Sequence, residues 1–139
     1  MAKVRGQISL EPSVWDDQAE GYLKKVWKGS KSFLSDTRQD VKEKKASLYK
    51  AVYESKVVGC LVIRVEKFKN GSSDLVMVAA SGRVKEGSLL DTFLPELPKI
   101  AKLNGCTSVR MHTSSKAVMN FYEKHGYEEA ERIYKKEVC

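Results

Sequence analysis

The chain is poor in the residues that would announce several function classes. It holds two histidines and three cysteines in 139 residues. Cys60, Cys106 and Cys139 are far apart and odd in number, so they supply neither a metal-ligand spacing nor a disulfide framework. Cys60 and Cys106 read as small core residues and Cys139 as a frayed terminus. His112 and His125 have no ligand-like company, and no metal site is expected. No apolar run is long enough to cross a bilayer, so no membrane partner is expected. Met1–Gln7 lacks the apolar core of a signal peptide, and the expected location is cytoplasmic. With no internal repeat, low-complexity tract or linker, residues 1–139 read as a single domain.

Basic charge is present in excess. The formal net charge of +7 favours anionic partners, whether nucleotide phosphates, nucleic acid or acidic protein surfaces. Much of it lies in Lys24, Lys25, Lys28 and Lys31, and again in Lys42, Lys44 and Lys45, which read as solvated helix faces. No aromatic-plus-basic motif accompanies these lysines, so nucleic acid ranks last among the partners.

The apolar pattern divides the chain into elements. Lys3–Leu10 reads as a short strand that Pro12 ends. Ser13-Val14-Trp15-Asp16 resembles a capping box and predicts a helix to about Lys28, with Trp15, Ala19, Tyr22, Leu23, Val26 and Trp27 on one face and Gly29 as the stop. A more polar helix is expected over Ser35–Lys45. From Ala46 the period changes to two. Leu48–Tyr53 and Val57–Val65 read as strands joined by a tight turn at Glu54-Ser55-Lys56. Asn70-Gly71 predicts the next hairpin, with positive φ at both residues. Leu75–Ala80 then pairs back on Val57–Val65.

The stretch Leu75–Tyr127 organises the rest. An apolar strand feeds a turn, Ser81-Gly82-Arg83-Val84-Lys85-Glu86-Gly87-Ser88, whose free N–H groups open a helix; that design suits an anion. Gly87–Asn104 has helical spacing, but Pro95 and Pro98 predict a kink or a break. Asn104-Gly105 ends it. Thr107–His112 reads as a strand parallel to Leu75–Ala80, reached by a right-handed crossover. Ser114 or Ser115 caps a last short helix that ends at Gly126. Tyr127–Val138 reads as one or two closing strands.

Phe121-Tyr122-Glu123-Lys124-His125-Gly126-Tyr127 resembles the F-Y-E-K-x-G-F signature of the GNAT acetyltransferase superfamily. The order of elements over Leu48–Val138 is similar to that fold as well. The resemblance implies an α/β domain of the acyl-CoA N-acyltransferase-like kind. Its mixed, mostly antiparallel twisted sheet would be flanked by helices and splayed between Leu75–Ala80 and Thr107–His112. It also implies acetyl-CoA as cosubstrate. The backbone of Val76, Val78 and Ala79 would pair with the pantetheine arm, and a backbone N–H such as that of Val78 would polarise the thioester carbonyl.

The family's phosphate motif is Arg/Gln-x-x-Gly-x-Gly/Ala. Arg83 falls on its first position, but Glu86 and Ser88 fall on the two glycines; a shift of one residue brings Gly87 to the second glycine and loses Arg83. A Glu there adds bulk and negative charge where backbone must approach a diphosphate. Arg83, Val84, Lys85, Gly87 and Ser88, with the helix N-terminus, are the implied phosphate contacts. Ser115 and Val118 stand where the family has Asn and Ala.

Tyr122 matches the tyrosine that protonates the departing thiolate. Glu66, Asp74 and His112 are the candidates for the base that deprotonates an amine acceptor, and His112 stands at the end of the strand beside the cleft. His125 is assigned no catalytic role. The implied function is N-acetyltransfer from acetyl-CoA to an amine by direct attack. The alternative is a GNAT-like module without acetyl transfer that acts as a binding or structural protein, which the altered glycine motif favours. An exposed strand edge or the tail would support a homodimer.

Overall fold

The structure is a computed structural model that describes residues 8–26, 31–82, 89–111, 116–130, 134, 136 and 138. Alternating apolar residues build five strands: β1 (Ser9–Ser13), β2 (Ser47–Tyr53), β3 (Lys56–Lys67), β4 (Ser73–Gly82) and β5 (Ser108–Met111). The described residues also form four helices: α1 (Asp17–Leu23), α2 (Lys31–Lys42), α3 (Leu89–Leu103) and, after β5, α4 (Lys116–Lys124). The strands form one sheet in sequence order, antiparallel except for the parallel pair β4–β5. This is the mixed, mostly antiparallel sheet expected from the pattern. Among the described residues, no helix is long and apolar enough to cross a membrane.

Alternation sends side chains to two cores. Leu61, Ile63, Leu75 and Met77 meet Leu89, Phe93, Leu94 and Leu97 of α3 on one face. Leu48, Cys60, Val62 and Ala79 meet Ala19 and Leu23 of α1 on the other, with Leu34 and Val41 of α2 packed at the margin. Each fully buried Leu or Phe contributes about 1.5–3 kcal/mol by leaving water. Cys60 is a core residue as expected, and burial pushes its thiol up to about 12. Cys106 is half-buried against the α3 core; Cys139 lies outside the described residues.

Several boundaries differ from the sequence expectation. Pro12 lies within β1 and pairs with Tyr49 instead of ending the strand; β1 is the sheet edge, where a missing N–H is tolerated. Asp16, not Ser13, caps α1 by accepting the Ala19 N–H at 2.9 Å. Lys50 on β2 donates to the same carboxylate at 2.5 Å, and this bond foremost holds Asp16 below the usual carboxylate range. Described α1 ends at Leu23; Trp27, Lys28 and Gly29 lie outside the described residues. α2 begins and ends earlier than Ser35–Lys45. The turn after β2 places Glu54 and Ser55 at positive φ. In the next hairpin only Gly71 does so, while Asn70 Oδ1 accepts the Ser72 N–H at 2.9 Å. Residues 127–130 are not in a strand.

The largest departure is α3. It runs unbroken through Pro95 and Pro98. Pro98 lacks the N–H that would bond the Leu94 carbonyl, and the Tyr127 hydroxyl donates to that carbonyl instead, at 2.8 Å. At Pro98, a residue outside the helix thus supplies a donor to the carbonyl that the proline leaves open.

Candidate functional site

β4 is bonded to β3 along its whole length, from Lys67↔Ser73 to Gly59↔Gly82. Its pairing with β5 covers only Asp74↔Ser108 to Met77↔Met111. Among the described residues, β4 therefore has a free edge from Val78 to Gly82. A bulge stands where the freedom begins: Val62 faces Ala79 and Ile63 faces Met77, so Val78 is the extra residue. Leu75, Met77 and Ala80 join the α3 core, whereas Val78 and Ala79 both join the α1 core. An inserted residue bends and twists its strand; residues 112–115, which follow β5, lie outside the described residues.

The start of α3 is seated over the end of β4. Leu89 is 4% exposed. A Cβ on Gly59 would fall 2.4 Å from Leu89 Cδ1 and 2.4 Å from the Ser81 carbonyl oxygen. One on Gly82, at φ +137°, would fall 2.3 Å from the Val58 carbonyl oxygen and 2.5 Å from Leu89 Cδ1. Only a missing Cβ lets the two backbones and the helix start come so close. Leu89, the first described residue of α3, is thereby held over the end of β4.

Of the expected site residues, Val76, Val78 and Ala79 lie on β4. Val76 sits inside the ladder, between Arg64 and Arg110, so strands occupy both of its edges. Val78 and Ala79 are on the free stretch. Tyr122, on α4, packs against the α3 core, and burial alone raises its phenol above the usual tyrosine value. Its ring stands 6.2 Å from that of Tyr127. Arg83, Val84, Lys85, Gly87, Ser88, His112 and Ser115 lie outside the described residues.

Two of the three candidate bases are engaged. Glu66, Asp74 and Ser108 share one face of the sheet with Arg64 and Arg110. Arg110 donates to Glu66, Arg64 lies 3.6 Å from Glu66, and Ser108 donates to Asp74 at 2.8 Å. The buried Arg110 Nε stands 3.8 Å from Asp74 and has no hydrogen bond. These carboxylates neutralise arginines at the paired end of β4 and β5. His125 is not a bare turn residue: its Nε2 lies 2.9 Å from Asp91 Oδ1 in the first turn of α3.

Sequence reasoning missed Gly59, Arg110 and Tyr127. A glycine inside an apolar strand is a recognised sign of close backbone approach, so Gly59 could have been found. Tyr127 was visible only as the last letter of a signature. Among the described residues, no group of His, Cys, Asp and Glu could hold a metal ion.

No family model matches the chain, and no curated protein matches it. Solved structures do. An acetyltransferase from Trypanosoma brucei is similar over 94% of this chain and 100% of its own, at 16% identity and a TM-score of 0.68. AAC(6')-Iy in complex with the bisubstrate analogue CoA-S-monomethyl-acetylneamine is similar over 96% and 100%, at 13% identity and a TM-score of 0.70. A transcriptional regulator from Bacillus halodurans C-125 is similar over 95% and 100%, at 16% identity and a TM-score of 0.73. The chain has the GNAT acetyltransferase fold.

Proposed function

We propose that the protein is an N-acetyltransferase that moves an acetyl group from acetyl-CoA to an amine by direct attack. The observation that carries this reading is the stretch of β4 from Val78 onward that is unpaired on one side among the described residues, beside the first described turn of α3 seated on two glycines. Both features fit acetyl-CoA, which supplies an activated thioester. The backbone of Val78 and Ala79 would pair with the extended arm as an added strand would. The Val78 N–H would polarise the thioester carbonyl. Arg83, Lys85 and the α3 N-terminus would take the diphosphate, with Val84, Gly87 and Ser88 lining the turn.

Tyr122 would give its proton to the departing thiolate. A phenol raised by burial is fully protonated at neutral pH, as a donor must be. With Glu66 and Asp74 held by arginines, His112 is the base assigned to the amine. Holding the amine against the thioester in the cleft would supply much of the rate. A cytoplasmic location belongs to this reading. So do an unidentified amine acceptor and a homodimer built on a strand edge.

Thermal unfolding with acetyl-CoA tests the proposal. At a hundredfold excess over Kd the expected stabilisation is about 2.7 kcal/mol. Tyr122→Phe should slow turnover about a hundredfold while leaving that stabilisation intact. The second reading, a GNAT-like binding module without acetyl transfer, is favoured by Glu86 and Ser88 at the glycine positions. An unchanged melting temperature with acetyl-CoA would select it.

A further inference from the structure

Pro95 and Pro98 leave two α3 carbonyls, those of Asp91 and Leu94, without their helical donors. The end of α4 engages these same two residues. His125 Nε2 lies 2.9 Å from Asp91 Oδ1, and Lys124 Nζ lies 3.8 Å from it. One turn further along α3, the Tyr127 hydroxyl donates to the Leu94 carbonyl at 2.8 Å. Tyr127 is also tied to Tyr122 directly. Its N–H donates to the Tyr122 carbonyl at 3.0 Å, and the two rings stand 6.2 Å apart. We infer that Tyr127 is a positioning residue: it locks the end of α4, and with it Tyr122, onto α3 through the carbonyl that Pro98 leaves open.

The geometry explains why proline and tyrosine belong together. An ordinary residue at position 98 would donate to Leu94 itself, and the Tyr127 hydroxyl would then share an acceptor that is already satisfied, so its bond would matter less. With proline there, the carbonyl is half-buried and short of a donor, which favours the α4 clamp by the cost of leaving it unmade. The helix thus carries a socket, and the Tyr127 hydroxyl fills it.

The role assigned to Tyr122 is the one proposed above, so the test keeps the two apart. Tyr127→Phe, Pro98→Ala and the double variant are compared for melting temperature, for the resonance of Tyr122 in 3-fluorotyrosine-labelled protein, and for CoA release from acetyl-CoA. Tyr127→Phe should lower the melting temperature by about 4 °C. In the Pro98→Ala background, where the backbone N–H regained at position 98 donates to Leu94, the same change should lower it by about 1 °C or less. The Tyr122 resonance should shift in all three variants, because each loses or weakens the clamp, and CoA release should fall about tenfold where Tyr127 is replaced and less in Pro98→Ala. Recovery of melting temperature without recovery of the resonance separates positioning from stability. An equal loss of melting temperature in both backgrounds would overturn the inference, as would an unmoved resonance in Tyr127→Phe. Absence of CoA release from the wild type, with the resonance behaving as stated, would sink only the acetyl-transfer reading.

Discussion

β4 is one strand with two unlike edges. Among the described residues, it is paired toward β3 from Ser73 to Gly82 and toward β5 from Asp74 to Met77. The closed edge ends in Gly59 and Gly82, where two backbones and Leu89 meet at a distance that admits no Cβ. The open edge begins at a bulge and is stapled at its base by Arg110, Glu66, Asp74 and Ser108. The opening is therefore bounded by fixed structure at both ends. A notch framed in this way stays ready for a ligand, which lowers the cost of ordering it on binding.

The closed edge is the more expensive to break. Gly59→Val would drive side-chain carbon into the Ser81 carbonyl and Leu89, and it should cost about 3 kcal/mol in urea unfolding. Because Leu89 opens α3, the stabilisation by acetyl-CoA should vanish with it. Gly21 is the control, since nothing lies within 4 Å of a Cβ there and it sits inside α1. Gly21→Ala should stabilise by about 1 kcal/mol. If Gly59→Val were as mild as a change at Gly21, close approach would not be what closes this edge.

The base of the open edge should yield less. Arg110→Met removes the main partner of Glu66 and leaves Asp74 with Ser108 alone among its side-chain bonds. These carboxylates are only half-buried, so about 1–2 kcal/mol is expected. The β5 amides should exchange faster while those of β3 do not. Glu66→Gln in the Arg110→Met background should recover part of the loss. Equal exchange on both sides of β4 would show that Arg110 does not hold the base shut.

How much of this was readable beforehand depends on the range of the interaction. The strands and their order follow from local period and turn chemistry, whereas the splay between Leu75–Ala80 and Thr107–His112 was implied only by the family resemblance. The continuity of α3 was not legible. Proline inside a helix is a local prohibition, and the donor that lifts it, Tyr127, comes from 29 positions beyond Pro98. The ion pairs of Glu66 and Asp74 were hidden for the same reason: only the sheet register brings Arg64 and Arg110 against them. Asp16 rather than Ser13 caps α1 because β1 extends through Ser13, and Lys50 on β2 reaches the carboxylate.

The smallest effect concerns the two tyrosines behind the open edge, and it appears only at high pH. Burial first, and the neighbouring Tyr122 second, push the Tyr127 phenol up from 10.0 to about 12; burial raises Tyr122 as well. In the unfolded chain both phenols ionise near the ordinary value, so above it the unfolded state releases protons that the folded state keeps. Their contribution to stability is thus complete below about pH 10 and is lost as the pH rises toward 12. The loss has a structural side, because a Tyr127 phenolate cannot donate to the Leu94 carbonyl. Urea unfolding across that alkaline range should show a falling midpoint in the wild type and a shallower fall in Tyr127→Phe, with no difference in slope between the two below about pH 10. The phenolate absorbance band should likewise lose its latest-titrating component in Tyr127→Phe. Parallel slopes for the two proteins across the alkaline range would mean that Tyr127 ionises without disturbing the α3–α4 contact, which would then rest on Asp91 with His125 and Lys124.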